Sequence, residues 1–181
     1  ESSCYSTRVK ETLFLALGGN QDDVAGTFAR AVGDIATLPF VTSLRRSSIW
    51  RTQPLGSVLD QPWFWNVCLQ IDTDHAPNPS DLLALLLEIE DQNGRVRPSA
   101  VLWGPRTLDI DMLLWGQRRF RRAGPPKVVV PHPRMHERAF VLAPLMELLG
   151  GRVSIPGLPG TLHEHLARAL DRPGQAIEQL A

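Results

Sequence analysis

Leu108-Asp109-Ile110-Asp111-Met112-Leu113-Leu114-Trp115 reads as one β-strand, and that strand decides the fold class. It closes a run that begins with an apolar strand over residues 12–17, cut off by the turn formers Gly18-Gly19-Asn20. A helix follows over residues 24–38, opened by Asp22 and Asp23 and stopped by Pro39, with Phe28, Ala31, Val32 and Ile35 at helical spacing. Residues 41–50 form a second strand, 51–61 a loop, and 64–72 a third strand. After a Pro-containing loop over 73–79, Ser80 is placed to cap a helix over 81–93 whose stop is Gly94. With residues 95–106 as a basic Gly/Pro loop, the order is β-α-β-β-α-β. The expectation is an α+β, ferredoxin-like βαββαβ sheet with both helices on one face.

Outward from that core, residues 116–127 read as an Arg-rich loop and 128–130 as a short strand. Residues 135–149 read as a helix interrupted by Pro144, and 161–170 as a final helix bearing His163 and His165 at the surface. These make a C-terminal helical extension that must cover the second face of the sheet, or leave it to loops and a ligand. A single domain over residues 11–170 is expected, with flexible ends over 1–10 and 171–181.

Composition bounds the function. Of 181 residues 43% are hydrophobic and 21% charged, with nineteen basic residues against nineteen acidic. A disordered chain and a globally basic nucleic-acid binder are both excluded, so any anion site has to be local. The apolar runs are too short to span a membrane, and the polar first ten residues do not resemble a signal peptide. Two cysteines without a CxxC unit suit a reducing compartment, and a cytoplasmic location is expected.

The chemistry concentrates in three places. In the closing strand, Asp109 and Asp111 lie two residues apart, so they share a face with Cα atoms roughly 6.5–7 Å apart; Leu108, Ile110, Met112 and Leu114 take the other. Two neighbouring carboxylates repel unless cations sit between them. Arg95, Arg97 and Arg106 bracket the pair, and Mg²⁺ with substrate phosphates would serve too. A solvated strand face with salt bridges is the plain alternative. Two acids and three guanidiniums nevertheless suit phosphoryl transfer, by a design without a P-loop or kinase signature.

The second place is Arg51-Thr52-Gln53-Pro54-Leu55-Gly56 with Asp60-Gln61-Pro62-Trp63-Phe64-Trp65-Asn66. Phe64 and Asn66 share a strand face, one able to stack on a flat heterocycle and the other to hydrogen-bond its edge. The third is Val130-Pro131-His132-Pro133-Arg134-Met135-His136-Glu137-Arg138-Ala139-Phe140-Val141-Leu142, where His132, Arg134 and Arg138 add donors for phosphate. Zinc is disfavoured, because His132 and His136 have no third ligand at a recognisable spacing.

These runs, together with Leu15-Ala16-Leu17-Gly18-Gly19-Asn20, Gly94-Arg95-Val96-Arg97 and Trp103-Gly104-Pro105-Arg106-Thr107-Leu108-Asp109-Ile110-Asp111, resemble the 6-hydroxymethyl-7,8-dihydropterin pyrophosphokinase family of folate biosynthesis. The resemblance covers residues 13–148. It implies an enzyme that moves the terminal pyrophosphate of ATP onto the pterin's hydroxymethyl oxygen and releases AMP. It further implies that Asp109 and Asp111 hold two Mg²⁺ ions and that Glu90, Arg95, Arg97, Arg106, His132 and Arg138 serve ATP. Arg95 and Arg97 join the two aspartates as catalytic residues. Phe64 and Phe140 would sandwich the pterin, Thr52, Pro54, Leu55 and Asn66 would meet its edge, and Trp103 would close over it. Gly19 departs from the family's usual Gly-Ser-Asn turn, and the 97–103 loop is a residue longer than in some members. A monomer acting on ATP and pterin alone is expected. The rivals are an inactive pterin- or nucleotide-binding relative and a ferredoxin-like nucleic-acid-binding module, the latter lacking any RNP1 pattern.

Overall fold

The computed structural model describes residues 10–55, 58, 60–97 and 104–180. Strand β1 (Lys10–Gly19) is the axis of the sheet, antiparallel to β4 (Phe64–Asp74) on one side and to β5 (Asp109–Trp115) on the other. Helix α1 (Val24–Ala36) starts where the Asp23 carboxylate accepts the Gly26 N–H. Helix α2 (Pro79–Gln92) is capped by Asn78, not by Ser80 as expected: the Asn78 side chain accepts the Ser80 and Asp81 N–H groups, and Pro79 takes the first helical position, where its missing N–H costs nothing.

The second strand of the sequence reading is two strands, β2 (Val41–Arg46) and β3 (Trp50–Thr52), both paired with β4. The break is at Ser47, whose hydroxyl accepts the Cys68 N–H in place of a backbone carbonyl. Residues 116–127 are not all loop either, since β6 (Phe120–Arg122) pairs with β7 (Val128–Val130) as a separate ribbon with Phe120 against the core. The end expected to be flexible contains β8 (Ile177–Gln179), antiparallel to β3. Among the described residues the main sheet runs β5-β1-β4-β3-β8, with β2 also on β4.

Leu13, Leu15 and Leu17 of β1, with Val67, Leu69 and Ile71 of β4 and Ile110 and Met112 of β5, pack against Phe28, Ile35, Leu82 and Leu86 of α1 and α2. The opposite face carries Phe14, Cys68 and Leu114. It is covered by α3 (Ala139–Leu149) and α4 (Leu162–Leu170) through Leu142, Leu145, Leu162 and Leu166. Burying both faces removes far more apolar area from water than one helical layer could. Leu114 was expected beside Met112. A β-bulge reverses it, because Phe14 faces Leu114 and Leu15 faces Met112, leaving Leu113 as the extra residue that flips the alternation.

The helix expected over 135–149 breaks at Arg138, not at Pro144. A 3₁₀ turn (Met135–Glu137) precedes an extended Arg138, and Pro144 lies inside α3. His165, expected at the surface, is buried with its ring edge-on to His136 at 5.9 Å.

Candidate active site

Cross-strand register builds the site. Asp111 faces Ala16, which faces Cys68; Asp109 faces Gly18, which faces Asn66. All six therefore point to the α3 side of the sheet, and the small residues between the acids and Asn66 leave open space. The Gly18-Gly19-Asn20 turn then grips the segment entering β5. The Asn20 N–H donates to the Arg106 carbonyl and the Asn20 side-chain oxygen accepts the Arg106 N–H, each at 2.9 Å. The Asn20 amide nitrogen reaches Gln61 and the Pro62 carbonyl. At Gly19 a Cβ would lie far inside contact distance of the Thr107 carbonyl oxygen, so this turn admits only glycine without a backbone shift.

The two aspartates are matched by loosely placed guanidiniums. Asp109 lies 3.8 Å from Arg95 and 3.4 Å from Arg106, and Asp111 lies 3.6 Å from Arg138. Burial, and then repulsion from Asp109, push the Asp111 carboxyl up to about 6, against the pull of Arg138 and Arg106. The Nε atoms of Arg95 and Arg106 are buried and have no hydrogen-bond partner among the described residues. Underpaired acids beside underpaired guanidiniums suit a divalent cation carrying phosphate oxygens. No group of three or more His, Cys, Asp or Glu side chains among the described residues could hold an ion unaided. A hard cation on this pair would therefore complete its shell with phosphate and water, as magnesium does.

His132 is held by the bulge. Its N–H donates to the Leu113 carbonyl at 2.9 Å, while its Nδ1 accepts the Arg134 N–H at 3.2 Å. Burial, reinforced by Arg138 and Arg134, pulls the imidazole down to about 4. At neutral pH it is uncharged, and with Nδ1 accepting, the proton is on Nε2, available as a donor.

Glu90 sits differently from the nucleotide contact expected of it. It is 2% exposed, accepts the Ile110 N–H and pairs with Arg97, which also pairs with Asp91 at 2.7 Å. Glu90 and Arg97 thus brace the start of β5 against the end of α2, while Arg95 and Arg106 are the guanidiniums brought to Asp109.

Beside the acids lies a cavity of about 230 Å³ lined by Thr52, Leu55, Phe64, Asn66 and Phe140, five of the seven residues expected to meet a heterocycle. The Asn66 amide nitrogen donates to Thr52 Oγ1 and the Phe64 carbonyl, which fixes the amide and leaves its oxygen as an acceptor. Pro54 is buried and does not line this cavity, and Trp103 lies outside the described residues. Two arginines link the acids to the rings. Arg106 stacks over Phe64 at 4.6 Å while facing Asp109, and Arg138 lies over Phe140 at 5.6 Å while facing Asp111. Arg134, Glu137, Gln53, Arg172 and Gln175 complete the lining. Arg172 and Gln175 were missed from sequence because they fall in the supposed tail, where only the short run Ile177-Glu178-Gln179 hints at a strand.

Residues 14–150 match the family model for 7,8-dihydro-6-hydroxymethylpterin-pyrophosphokinase (HPPK). The chain is 42% identical over 135 residues to the 2-amino-4-hydroxy-6-hydroxymethyldihydropteridine pyrophosphokinase of Bacillus subtilis (strain 168), covering 75% of this chain and 76% of that one. It is 41% identical over 135 residues to the protein of the same name from Methylorubrum extorquens, covering 75% and 80%. Among solved structures, an HPPK-DHPS crystal structure in complex with substrates superposes with a TM-score of 0.67 at 10% identity, over 88% of this chain and 43% of that chain. A Plasmodium falciparum HPPK-DHPS gives 0.67 at 11% identity, over 91% and 46%. The chain spans less than half the length of those two structures, and at such identity the likeness speaks for the fold.

Proposed function

The chain belongs to the 7,8-dihydro-6-hydroxymethylpterin-pyrophosphokinase family, and from that premise we propose how its residues carry pyrophosphate from ATP to 6-hydroxymethyl-7,8-dihydropterin in folate biosynthesis. Phe64 and Phe140 hold the pterin between them, and Asn66 and Thr52 meet its edge. The hydroxymethyl oxygen attacks the β-phosphorus of ATP in line with the bond to the bridging α–β oxygen. That bond breaks, AMP leaves, and the alcohol proton passes to solvent.

The chain's contribution is placement and charge. Arg95, Arg106 and Arg138 bind phosphate oxygens from places beside the two acids, where Arg106 and Arg138 also lie over the rings and the buried Nε atoms of Arg95 and Arg106 are left to pair with the substrate. His132 donates from Nε2 without bringing a charge. Asp109 and Asp111 would hold Mg²⁺, two ions in all, and the bound metal would neutralise charge gathering on the phosphates and leaving group. Phe64 and Phe140 also keep water from the attacked phosphorus.

The observation that carries this reading is the pair of Asp–Arg–Phe chains, Asp109–Arg106–Phe64 and Asp111–Arg138–Phe140. Each chain joins one acid to one ring of the aromatic pocket through a guanidinium, as a transfer between a nucleotide and a flat alcohol requires. We read residues 10–180 as one domain with a ferredoxin-like core, in which β2 and β3 together stand for one strand, and the protein as a cytoplasmic monomer. No helix among the described residues is long and apolar enough to cross a membrane.

The test is AMP formation from ATP and the hydroxymethyl pterin. AMP is expected only with both substrates and Mg²⁺, and Asp111→Ala is expected to reduce turnover far more than pterin affinity. AMP formation undiminished by a chelator or by that substitution would refute the metal assignment. Retained pterin binding without turnover in the wild type would favour an inactive relative.

A further inference from the structure

We propose that Gln175 is a positioning residue for the pterin, and that the segment 172–179 is a wall of the substrate pocket; this rests on the pterin reading of that pocket. Helix α3 begins with Ala139, and its N-terminal neighbour Arg138 is extended, with no side-chain cap bond of its own. The Ala139 N–H is met instead by Gln175 Oε1 at 2.9 Å, from 36 residues further along the chain. A backbone N–H takes only an acceptor, so this bond fixes which end of the amide faces the helix. Ala139 stands between Arg138 and Phe140. One side chain from the end of the chain thus sets both the guanidinium over the ring and the ring against the substrate.

The delivery of Gln175 is built into the sheet. Ile177, Glu178 and Gln179 pair with Thr52, Arg51 and Trp50, an Arg51–Glu178 ion pair of 2.5 Å reinforces the ladder, and the Leu180 N–H donates to the Ile49 carbonyl at 2.9 Å. Ahead of Gln175, Gly174 has φ +77° and passes so near Leu55 that a Cβ there would lie 2.9 Å from a Leu55 methyl. The segment therefore touches both sides of the cavity: Thr52 and Leu55 on one, Arg138–Phe140 on the other. Arg172 and Gln175 themselves line it. None of these contacts involves Asp109, Asp111, Arg95 or His132; of the phosphate-side groups the segment reaches only Arg138, through its neighbour Ala139, so it acts mainly on the pterin half of the site.

The experiment titrates the hydroxymethyl pterin into the full chain holding Mg²⁺ and a non-hydrolysable ATP analogue, and separately titrates the analogue, for wild type, Gln175→Ala and Gln175→Glu. Gln175→Ala is expected to weaken pterin binding by about fivefold to tenfold, the ratio that loss of one helix cap carries. Affinity for the analogue falls by no more than about twofold, because Arg95, Arg106, His132 and the two acids make no contact with Gln175 and only Arg138 adjoins the cap. Gln175→Glu keeps an acceptor for Ala139 and is expected to restore pterin affinity to within about twofold of wild type. Unchanged pterin affinity in Gln175→Ala, equal losses for both ligands, or failure of Gln175→Glu to rescue would overturn the proposal while leaving the pocket's reading intact. A wild type that bound the analogue but no pterin would overturn the pocket's reading and this proposal with it.

Discussion

Replacing Asp111 with Asn is expected to make the ligand-free protein more stable at pH 8 while it removes metal-dependent activity. Asp111's folded-state carboxyl is raised from its ordinary 3.8 to about 6, by burial and by Asp109. Below pH 3.8 the group is protonated in folded and unfolded chains alike and contributes nothing. Between 3.8 and about 6 the unfolded chain ionises first, so the folded state binds more protons and stability falls as pH rises. Above about 6 the penalty is complete and constant. At 1.36 kcal/mol per unit, a shift of this size would be about 3 kcal/mol for a fully buried carboxylate. The Asp111 side chain is 39% exposed, so water screens much of it; about 1 kcal/mol remains, a rise of roughly 2–4 °C in Tm for a chain of this length. Urea denaturation in EDTA at pH 8 and at pH 4.5 measures it. The gain should appear at pH 8 and shrink at 4.5, and Mg²⁺ with an ATP analogue should stabilise wild type but not Asp111→Asn. A variant less stable than wild type at pH 8, or equally stabilised at both pH values, would refute the argument that these acids are under mutual strain.

Three other substitutions probe the supports of the site. Gly19→Ala drives a Cβ into the Thr107 carbonyl, and overpacking against backbone is expected to cost about 1–3 kcal/mol in urea denaturation and to lower turnover by displacing Arg106. Glu90→Ala leaves the buried Ile110 N–H without an acceptor, a loss of about 1–3 kcal/mol; Glu90→Gln keeps an oxygen for that N–H and should lie between Ala and wild type in urea midpoint. His132 is neutral above about pH 4, so no limb of the pH–activity profile between 5 and 8 should belong to it. For the same reason His132→Gln, which keeps a neutral donor, should raise the KM for ATP less than His132→Ala.

The strand order and the candidate site were legible in the sequence to different depths. Alternation in Asp109–Met112 and helical spacing in α1 and α2 are local signals, and they placed the acids and the first core correctly. Asn78 and Ser80 are both suitable caps chemically; Pro79 decides for Asn78, since it fits the first helical position. The ends of β2 and β3 depend on a side chain, Ser47, taking a ladder bond from Cys68 twenty-one residues away, and no local pattern announces that. Gln175 and Arg172 were invisible for the same reason: β8 is three residues long, and its stability comes from β3 and Glu178–Arg51 pairing rather than from its own composition.

The bulge at Leu113 is the instructive case, because it is silent in sequence yet decides the site. Leu113 and Leu114 are both apolar, so a chain reading alternation finds either phase acceptable; only the pairing of Phe14 with Leu114 and Leu15 with Met112 exposes the extra residue. The flip sends Leu114 to the α3 side, where it helps fill the second core, and places the Leu113 carbonyl where it accepts the His132 N–H. A regular strand would keep Leu114 in the first layer, and the chain entering the His132 segment would lose that anchor. The acids lie before the bulge and the histidine is hung from it. The same irregularity therefore separates the part of β5 that holds charge from the part that orients the neutral donor, and removing either Leu113 or Leu114 should move His132 relative to Asp109 and Asp111. Deletion of Leu113 is accordingly expected to raise the KM for ATP by more than about tenfold, because it removes the carbonyl that anchors His132, with loss of the buried Leu113 side chain from the second core as the accompanying stability cost. A deletion variant with wild-type KM for ATP would show that His132 is held by its own segment and not by the strand.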